Sequence, residues 1–281
     1  PPRSTLFPYT TLFRSASYNK DQLDLLAQRV NSGNAYSGKY FVLGANIEYS
    51  HKADNEEGAD TENNYTSIGN NTRSFNGTFD GQGHTISGIR IYDNKVNQGL
   101  FGSTTAGAVI RGITLVDARI TSSMKTGGIV GWNEAPVSDC HVAADVFIYS
   151  IDLVGGIVGY NSGTVSNCTS AATLTAGNDY CGGIAGMNSG TVSDCTSTAT
   201  LTAGDEDYGG IVGQNNAGAT MRHNLAIGAV VPAACDNSHG AICGRNDNNI
   251  GSGILENNYY YGCKVASKSL PQGYGFDFTG T

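Results

Sequence analysis

The chain has 281 residues, of which 39 are glycine and only 14% are charged, and its formal net charge is −8. Ordinary globular domains carry roughly 25% charged residues, so this composition indicates a soluble protein rich in strands and turns. The negative charge argues against a nucleic-acid partner, which needs a clustered basic face. No apolar run approaches the ~20 residues of a membrane-spanning helix.

The first segment, PPRSTLFPYTTLFRS at 1–15, resembles the translation of a sequencing-adapter oligonucleotide. No periodicity or helix cap connects it to the rest of the chain, so we treat it as an artefactual tail. We expect the chain to be part of a longer protein. The predicted division is a tail at 1–15, an N-terminal cap at 16–74, β-helix repeats at 75–266 and a truncated C-terminal tail at 267–281.

An amphipathic helix is predicted over 19–33. Asn19 is a good N-cap, Gln22 occupies the capping-box position, and Gly33 provides a natural stop after the last turn. A helix of this kind can cover the exposed end of a stack of strands. Its apolar face should comprise Leu23, Leu26, Ala27 and Val30.

The rest of the cap is predicted to be irregular. Residues 38–49 (GKYFVLGANIEY) indicate a first strand, and the acidic stretch at 51–64 indicates a mobile loop. We expect the regular coils to begin near Phe75.

A short glycine-framed apolar motif then recurs every 27 to 31 residues. A fixed period of this size is typical of a chain that stacks one supersecondary unit on the next. A related GLFG at 99–102 precedes the series. The motifs are GGIVG at 127–131, GGIVG at 155–159, GGIAG at 182–186, GGIVG at 209–213 and GAICG at 240–244.

The repeats at 155–181 and 182–208 show how one coil is built. Each contains the glycine-framed strand, an Asn-Ser-Gly turn, a TVS segment and an alternating stretch. In the second repeat small residues alternate with threonines, which indicates a half-buried strand. We predict an all-β fold, a right-handed single-stranded parallel β-helix with three strands in each ~27-residue coil. The inward set is Cys195, Ser197, Ala199, Leu201 and Ala203, and the outward set is Thr196, Thr198, Thr200 and Thr202.

An asparagine follows each motif at the second position. Stacked at one turn of successive coils, these amides can hydrogen-bond to each other and to unpaired backbone groups. We predict an asparagine ladder formed by Asn133, Asn161, Asn188, Asn215 and Asn246.

Seven cysteines are present, an odd number that cannot form a closed disulfide framework. No CxxC pair supports a zinc site. Cys140, Cys168 and Cys195 occupy one slot of the repeat, which holds Ile113 in the preceding coil. A slot that accepts isoleucine or cysteine is best interpreted as a buried apolar position, and a redox or ligand role is the alternative.

The helix–VNSG–strand opening, the segment FNGTFDGQGHTISGI, the GLFG and the serial GGIVG…NSGTVSNC repeats resemble the GLUG-motif family over about residues 18–261. The resemblance implies a β-helical region of a large secreted or surface protein of bacteria, a class that includes some IgA-peptidase-like proteins. It further implies adhesion or surface display, with glycans or host surface proteins as partners and an extracellular or cell-surface location.

No catalytic residue or metal site is predicted, so the chain is expected not to be an enzyme. The sequence GYNSG at 159–163 places its serine one position late for a nucleophile elbow. The alternative is a polysaccharide-active β-helix enzyme that uses clustered carboxylates. Its candidates are Asp80 and His84 in FDGQGHT, although a turn role for Asp80 is favoured.

The residue before each ladder asparagine forms a second column, which begins with Trp132 and Tyr160. Adjacent exposed aromatic rings can stack on sugars, so these two residues are the candidate ligand contacts. The alternative, which is favoured, is that they are corner residues that cover the neighbouring coil. The column continues with Met187, Gln214 and Arg245.

No cofactor is expected, with Ca²⁺ as the single alternative, because carboxylates supply the oxygen ligands that this ion prefers. A solvated acidic loop is the favoured interpretation. The candidate ligands are Glu56, Glu57 and Asp60 in one loop and Asp205, Glu206 and Asp207 in another.

A further alternative function is ice binding by a flat threonine array. Threonine is also a good strand former and needs no such role. The array spans two coils and is interrupted by His141, Asp145, Phe147 and Leu225. Its members are Thr169, Thr173 and Thr175, aligned with Thr196, Thr200 and Thr202.

Overall fold

The structure, a computed structural model, describes residues 19–53, 56–202, 206–228, 230–231, 239–248, 251–265 and 276–277. Over these residues it is an all-β parallel solenoid preceded by one α-helix, which confirms the predicted class. The tail at 1–15 and nearly all of 267–281 lie outside the described residues. Within the described part of the chain, no helix is both long and apolar enough to cross a bilayer.

The elements are short and follow each other closely. In chain order they are α1 (Lys20–Asn31), β1 (Tyr40–Val42), β2 (Ile47–Glu48), the 3-10 turn η1 (Ala59–Thr61), β3 (Thr78–Asp80), β4 (Thr85–Ser87), β5 (Arg90–Tyr92), β6 (Val96–Gln98), β7 (Phe101–Ser103), β8 (Val109–Arg111), β9 (Thr114–Val116), β10 (Arg119–Gly127), β11 (Val130–Asn133), β12 (Pro136–Ser138), β13 (His141–Val142), β14 (Phe147–Gly155), β15 (Val158–Asn161), β16 (Thr164–Ser166), β17 (Thr169–Ser170), β18 (Thr173–Ala176), β19 (Asp179–Gly182), β20 (Ala185–Asn188), β21 (Thr191–Ser193), β22 (Thr196–Ser197), β23 (Thr200–Thr202), β24 (Glu206–Gly209), β25 (Val212–Asn215), β26 (Thr220–Arg222), β27 (Leu225–Ile227), β28 (Val230–Val231), β29 (His239–Gly240), β30 (Cys243–Arg245), β31 (Asp247–Asn248), β32 (Gly251–Ser252), β33 (Ile254–Glu256), β34 (Tyr259–Tyr261), β35 (Lys264–Val265) and β36 (Phe276–Asp277).

Four parallel sheets run along the solenoid, and each strand pairs with the equivalent strand of the neighbouring coils. We call them sheets 1 to 4. Sheet 1 has the order β1-β3-β8-β12-β16-β21-β26-β33, sheet 2 the order β2-β4-β9-β13-β17-β22-β27-β34-β36, and sheet 3 the order β7-β11-β15-β20-β25-β30. Sheet 4 contains β5, β6, β10, β14, β18, β19, β23, β24, β28, β29 and β35.

One coil contains five short strands rather than the predicted three. In the coil from β16 to β20, a left-handed residue, Asn167 (φ 54°), turns the chain between β16 and β17. Equivalent left-handed positions recur in neighbouring coils, at Asp139 and Asp194. Asparagine and aspartate tolerate this conformation better than most residues. The SNC and SDC segments are therefore sharp corners between the TVS segment and the alternating stretch, and in the second repeat the alternating stretch is itself divided into β22 and β23.

The solenoid also begins earlier than the predicted boundary near Phe75. Strand β1 pairs in parallel with β3, and β2 pairs with β4, so both belong to sheets that continue along the solenoid. In the described part of 16–74, this pairing does not include α1, η1 or the loops. Part of the predicted acidic loop forms η1, and Glu62 just after it accepts a hydrogen bond from the backbone N–H of Lys52 at 2.7 Å.

The helix forms as its sequence predicts. Asn19 Oδ1 accepts from the N–H of Gln22, and Gln22 Oε1 accepts from the N–H of Asn19, which completes the capping box. Gly33 follows the last turn with φ 108°. The four predicted apolar residues, Leu23, Leu26, Ala27 and Val30, are all buried.

The glycine-framed motif allows backbones to approach each other closely where sheet 4 turns into sheet 3. A Cβ on the last glycine, Gly131, would lie 2.6 Å from the carbonyl carbon of Asn97 in the preceding coil. A Cβ on Gly186 would lie 2.8 Å from that of Leu153. Both contacts are closer than a real side chain permits. The isoleucines inside the motifs, Ile129, Ile157, Ile184, Ile211 and Ile242, are fully buried in the core.

The core changes character along the axis. Near the helix it contains large aromatic side chains, and the rings of Phe75 and Phe101 lie 5.3 Å apart. In later coils the same interior is filled by small residues such as Val165, Val192 and Ala199. The apolar residues of α1 join the N-terminal end of this core.

We expect Gly183→Ala to lower the free energy of unfolding by roughly 1–3 kcal/mol, the usual cost of overpacking. Its Cβ would overlap the carbonyl oxygen of Gly210 in the next coil. Thermal unfolding followed by circular dichroism measures the effect. The matched control is Gly177→Ala, whose Cβ would find its nearest atoms 3.3 Å away. Equal midpoints for the two variants would contradict the close-approach explanation.

Candidate functional site

The five predicted ladder asparagines lie one above another at the end of sheet 3. Their amides form a continuous chain in which each Nδ2 donates to the Oδ1 of the next asparagine. The distances are 2.9 Å from Asn133 to Asn161, 2.8 Å from Asn161 to Asn188, 2.7 Å from Asn188 to Asn215 and 2.8 Å from Asn215 to Asn246.

The ladder also satisfies the backbone of the turns that it lies in. Asn133 donates to the carbonyl of Ala135 at 2.8 Å and accepts from the N–H of the same residue at 3.1 Å. Asn188 makes the same pair of bonds with Gly190. Thr104 extends the ladder by one coil, since its hydroxyl donates to Asn133 Oδ1 at 2.8 Å. These buried amides therefore join adjacent coils and close each turn.

Replacing Asn188 by alanine should lower the thermal unfolding midpoint. The substitution removes one acceptor of Asn161 Nδ2 and leaves Asn215 Oδ1 without its ladder donor in a fully buried position. Such orphaned groups cost about 1–3 kcal/mol each. The control is Asn178→Ala at an exposed position. A midpoint for Asn188→Ala within error of the control would contradict a stabilising ladder.

The aromatic column lies beside the ladder, and its two rings are in contact. Trp132 and Tyr160 are in register on β11 and β15, with ring centroids 5.4 Å apart and planes inclined at 60°. Both side chains are half-buried. The Tyr160 hydroxyl donates to Ser189 Oγ at 3.0 Å.

A lysine completes this corner. Lys125 Nζ lies 3.9 Å from the centre of the Trp132 ring and 5.9 Å from that of Tyr160. Burial lowers the pKa of Lys125. The cation–π contact covers part of one face of Trp132. A ligand at this corner would meet an ammonium group together with two ring edges.

The cysteine slot is buried in every coil that shows it. Ile113, Cys140, Cys168 and Cys195 are at most 1% exposed. The Cys195 thiol donates to the carbonyl of Ser193 at 3.1 Å. Desolvation raises the pKa of Cys140, which keeps this thiol protonated and unreactive. These positions fit the structural interpretation.

The same slot continues as a second asparagine ladder, which reasoning from the sequence missed. In the next two coils it holds Asn224 and Asn258, both buried. Asn224 Oδ1 accepts from the N–H of Cys195 at 3.0 Å, and its Nδ2 donates to Asn258 Oδ1 at 2.8 Å. Aligning RHN at 222–224 with SDC at 193–195 would have revealed it.

Asp80 has the turn role that was favoured for it. Its Oδ1 accepts from the N–H of Gln82 at 3.0 Å, and its Oδ2 accepts from the Tyr40 hydroxyl and from Arg111. Burial acts to raise the pKa of Asp80, but these hydrogen bonds outweigh it and hold the pKa below its usual value. His84 contacts Asn46 instead, 3.3 Å from its Oδ1. The structure does not join Asp80 and His84 in one site.

A buried ion network that the sequence did not suggest lies around Arg90 on β5. The Arg90 side chain is 3% exposed and pairs with Asp117 Oδ1 at 2.9 Å. His51 Nε2 lies 2.8 Å from the other oxygen of Asp117. The hydrogen bond to the Lys52 carbonyl, helped by Asp117, raises the pKa of His51 against the opposing effect of desolvation.

This network should make stability depend on pH near neutrality. Because the pKa of His51 is higher in the folded state, its contribution is complete below the unfolded value of 6.5 and is lost as pH rises through the folded value. We expect the difference in unfolding midpoint between wild type and His51→Gln to be larger at about pH 5.5 than at about pH 8. A difference that does not change over this interval would contradict the assignment.

Among the described residues, no three histidine, cysteine, aspartate or glutamate side chains form a group that could hold a metal ion. Glu56 and Glu57 are exposed, whereas Asp207 is 1% exposed and its carboxylate lies 4.0 Å from Arg245. Asp205 and the side chains of Asp60 and Glu206 lie outside the described residues.

The threonine array is in register but extends over only two coils. Thr173 pairs with Thr200, and Thr175 pairs with Thr202. In the preceding coil Phe147 and Tyr149 take the equivalent positions on β14. The flat hydroxyl surface therefore ends at two large aromatic side chains.

Three comparisons show what this chain is similar to in sequence and in fold. Residues 153–175, which include the ladder residue Asn161, match the family model described as "The GLUG motif". The chain is 32% identical over 119 residues to Halomucin of Haloquadratum walsbyi, a match that covers 41% of this chain and 1% of that protein.

A crystal structure of a Bacteroides ovatus protein, provisionally named an immunoglobulin A1 protease, is similar in fold. The TM-score is 0.66 at 20% identity, over 92% of this chain and 82% of that one. At this identity the similarity concerns the fold alone. Together with the register of the repeats, the comparisons establish that this parallel β-solenoid carries the GLUG motif.

Proposed function

We propose that this chain is a non-catalytic structural and adhesive module of a secreted or cell-surface bacterial protein. It presents the outer surface of its β-solenoid to glycans or host proteins. The observation that carries the proposal is the unbroken coil-to-coil register, in which the ladder asparagines and sheet strands repeat along one axis. The GLUG motif and the similarity to part of Halomucin support a surface or secreted setting.

The coil-to-coil register makes the module resist bending. Parallel strands place their hydrogen bonds along the solenoid axis, so bending the rod strains many bonds at once. The asparagine ladder adds a further row of buried amide bonds along the same axis. Such a rod suits a stalk that holds side chains away from a cell surface.

The candidate contacts for this adhesive role are Trp132 and Tyr160. Their adjacent rings offer apolar edges, and Lys125 offers an ammonium donor beside them. Sugars present both apolar C–H faces and hydroxyl groups, which fit this combination.

The alternative of a polysaccharide-active enzyme lacks support at the residues first considered for it. A general acid needs a raised pKa, whereas hydrogen bonds hold the pKa of Asp80 below its usual value. Turnover of a polysaccharide panel that disappears in Asp80→Ala would contradict the non-catalytic assignment.

The adhesive role predicts retention on an array of glycans and extracellular matrix proteins. We expect Trp132→Leu combined with Tyr160→Leu to weaken retention of the bound ligand by about tenfold, since two contact rings are lost. Leucine keeps the corner covered, so the fold should persist. Met187→Leu, in the same column one coil further, is the matched control. Retention on no arrayed ligand would indicate a passive spacer instead.

A further inference from the structure

The outer face of sheet 4 carries exposed aromatic residues that the proposed contacts do not include. Along β10 and β14, Ile120 and Ile148 point into the core, which leaves the residues on either side of them outside. Phe147 and Tyr149 are 43% and 40% exposed, and Tyr92 is 47% exposed in the same row of the sheet as Tyr149. Exposed aromatic side chains that lie together on one face, unlike single scattered ones, are typical of interaction surfaces.

Phe147 and Tyr149 line a cleft with a volume of about 180 Å³. Thr121 lies between Tyr92 and Tyr149 in the register, so the small side chain forms a depression between two rings. The segment that contains η1 borders the opposite side through Ala59 and Glu62. The cleft is therefore built from four successive coils, through β5, β10, β14 and β18, and one loop.

The polar groups around the cleft include both hydrogen-bond donors and acceptors. Arg119 stacks on Phe147, with its guanidinium carbon 5.0 Å from the ring centre, and Glu62 provides a carboxylate. In the described part of the chain, the hydroxyls of Thr121 and Thr173 have no hydrogen-bond partner. A few convergent polar groups beside aromatic rings are typical of small-ligand sites.

We propose that this cleft binds a pyranose ring of a polysaccharide, stacked on Tyr149. The hydroxyls of such a ring both donate and accept, so they can bond to the carboxylate, the guanidinium and the threonines together. Tyr92 and Tyr149 are two coils apart, or about 10 Å at the usual strand spacing. A glycan chain lying parallel to the solenoid axis can therefore contact both rings.

Other classes of ligand fit this face less well. A peptide cannot add to it as a strand, because β10 already pairs with β5 on one side and β14 on the other. A nucleic-acid backbone would meet Glu62 beside Arg119 on a chain of net charge −8. The aromatic rings with mixed donors and acceptors favour a sugar.

This assignment rests on the proposed adhesive function and deepens it, since it places a glycan site on sheet 4, whereas Trp132 and Tyr160 lie on sheet 3. The test uses the full chain and soluble cellohexaose, mannohexaose and hexagalacturonate at millimolar concentration in isothermal titration calorimetry. Monovalent binding at this concentration is detectable even where retention on an array fails. The two proposals can therefore fail separately.

We expect at least one of the three oligosaccharides to bind, and Tyr149→Ala to weaken its affinity by about tenfold, which corresponds to ~1.4 kcal/mol. Tyr149→Phe should retain binding because the ring remains. The matched control is Tyr261→Ala, at a tyrosine 56% exposed on sheet 2, which should stay within about twofold of wild type.

Three results would overturn the assignment. They are the absence of binding by all three oligosaccharides, equal affinities for Tyr149→Ala and wild type, and an equal loss in Tyr261→Ala. If affinity is lost in the Trp132 and Tyr160 variant but kept in Tyr149→Ala, the adhesive function stands and this cleft is not its site. All variants change exposed or half-buried side chains, and their unfolding midpoints establish that the fold is intact.

Discussion

The close approach of backbones at the glycine-framed motif is the constraint on which the solenoid depends. There the chain turns from sheet 4 into sheet 3, and each motif lies against the backbone of adjacent coils at distances that leave no room for a Cβ. Because the approach is the same in each coil, it fixes the register of the strands on both sides. The repeat period of the sequence is therefore the interval at which the backbones of adjacent coils pack closely against each other.

Because the register is fixed, the residues at each position of the repeat form a column along the solenoid and have similar surroundings. The column that begins at Asn133 is polar throughout, and its buried amides are satisfied jointly by the next coil and by the backbone of their own turn. The column that begins at Ile113 is apolar and then becomes polar at Asn224, where Asn258 supplies the partner. A buried amide is thus accepted when its neighbour along the axis is also an amide.

The same register arranges the outer surface in rows. Where successive coils repeat threonine, as at Thr173 and Thr200, the surface is flat and uniform. Where one coil departs from the pattern, as at Phe147 and Tyr149, the surface carries aromatic rings. The depression beside these rings could receive a ligand. Function in such a fold depends on the exceptions to the repeat, since the regular positions serve mainly to stack the coils.

The sequence alone determined the parallel solenoid, the capping helix and the columns of residues. Each of them follows from a local sequence pattern or from its recurrence at a fixed period. Asn19 and Gln22 predict their own helix cap, and five asparagines at one offset predict which residues meet. Only the tertiary structure decided that β1 and β2 already pair with the coils, that Arg90 is buried beside His51 and Asp117, and that Glu62 and Tyr149 line one cleft. These contacts join residues from irregular segments or different coils, whose relative positions follow from the packed register and leave no periodic signal in the sequence.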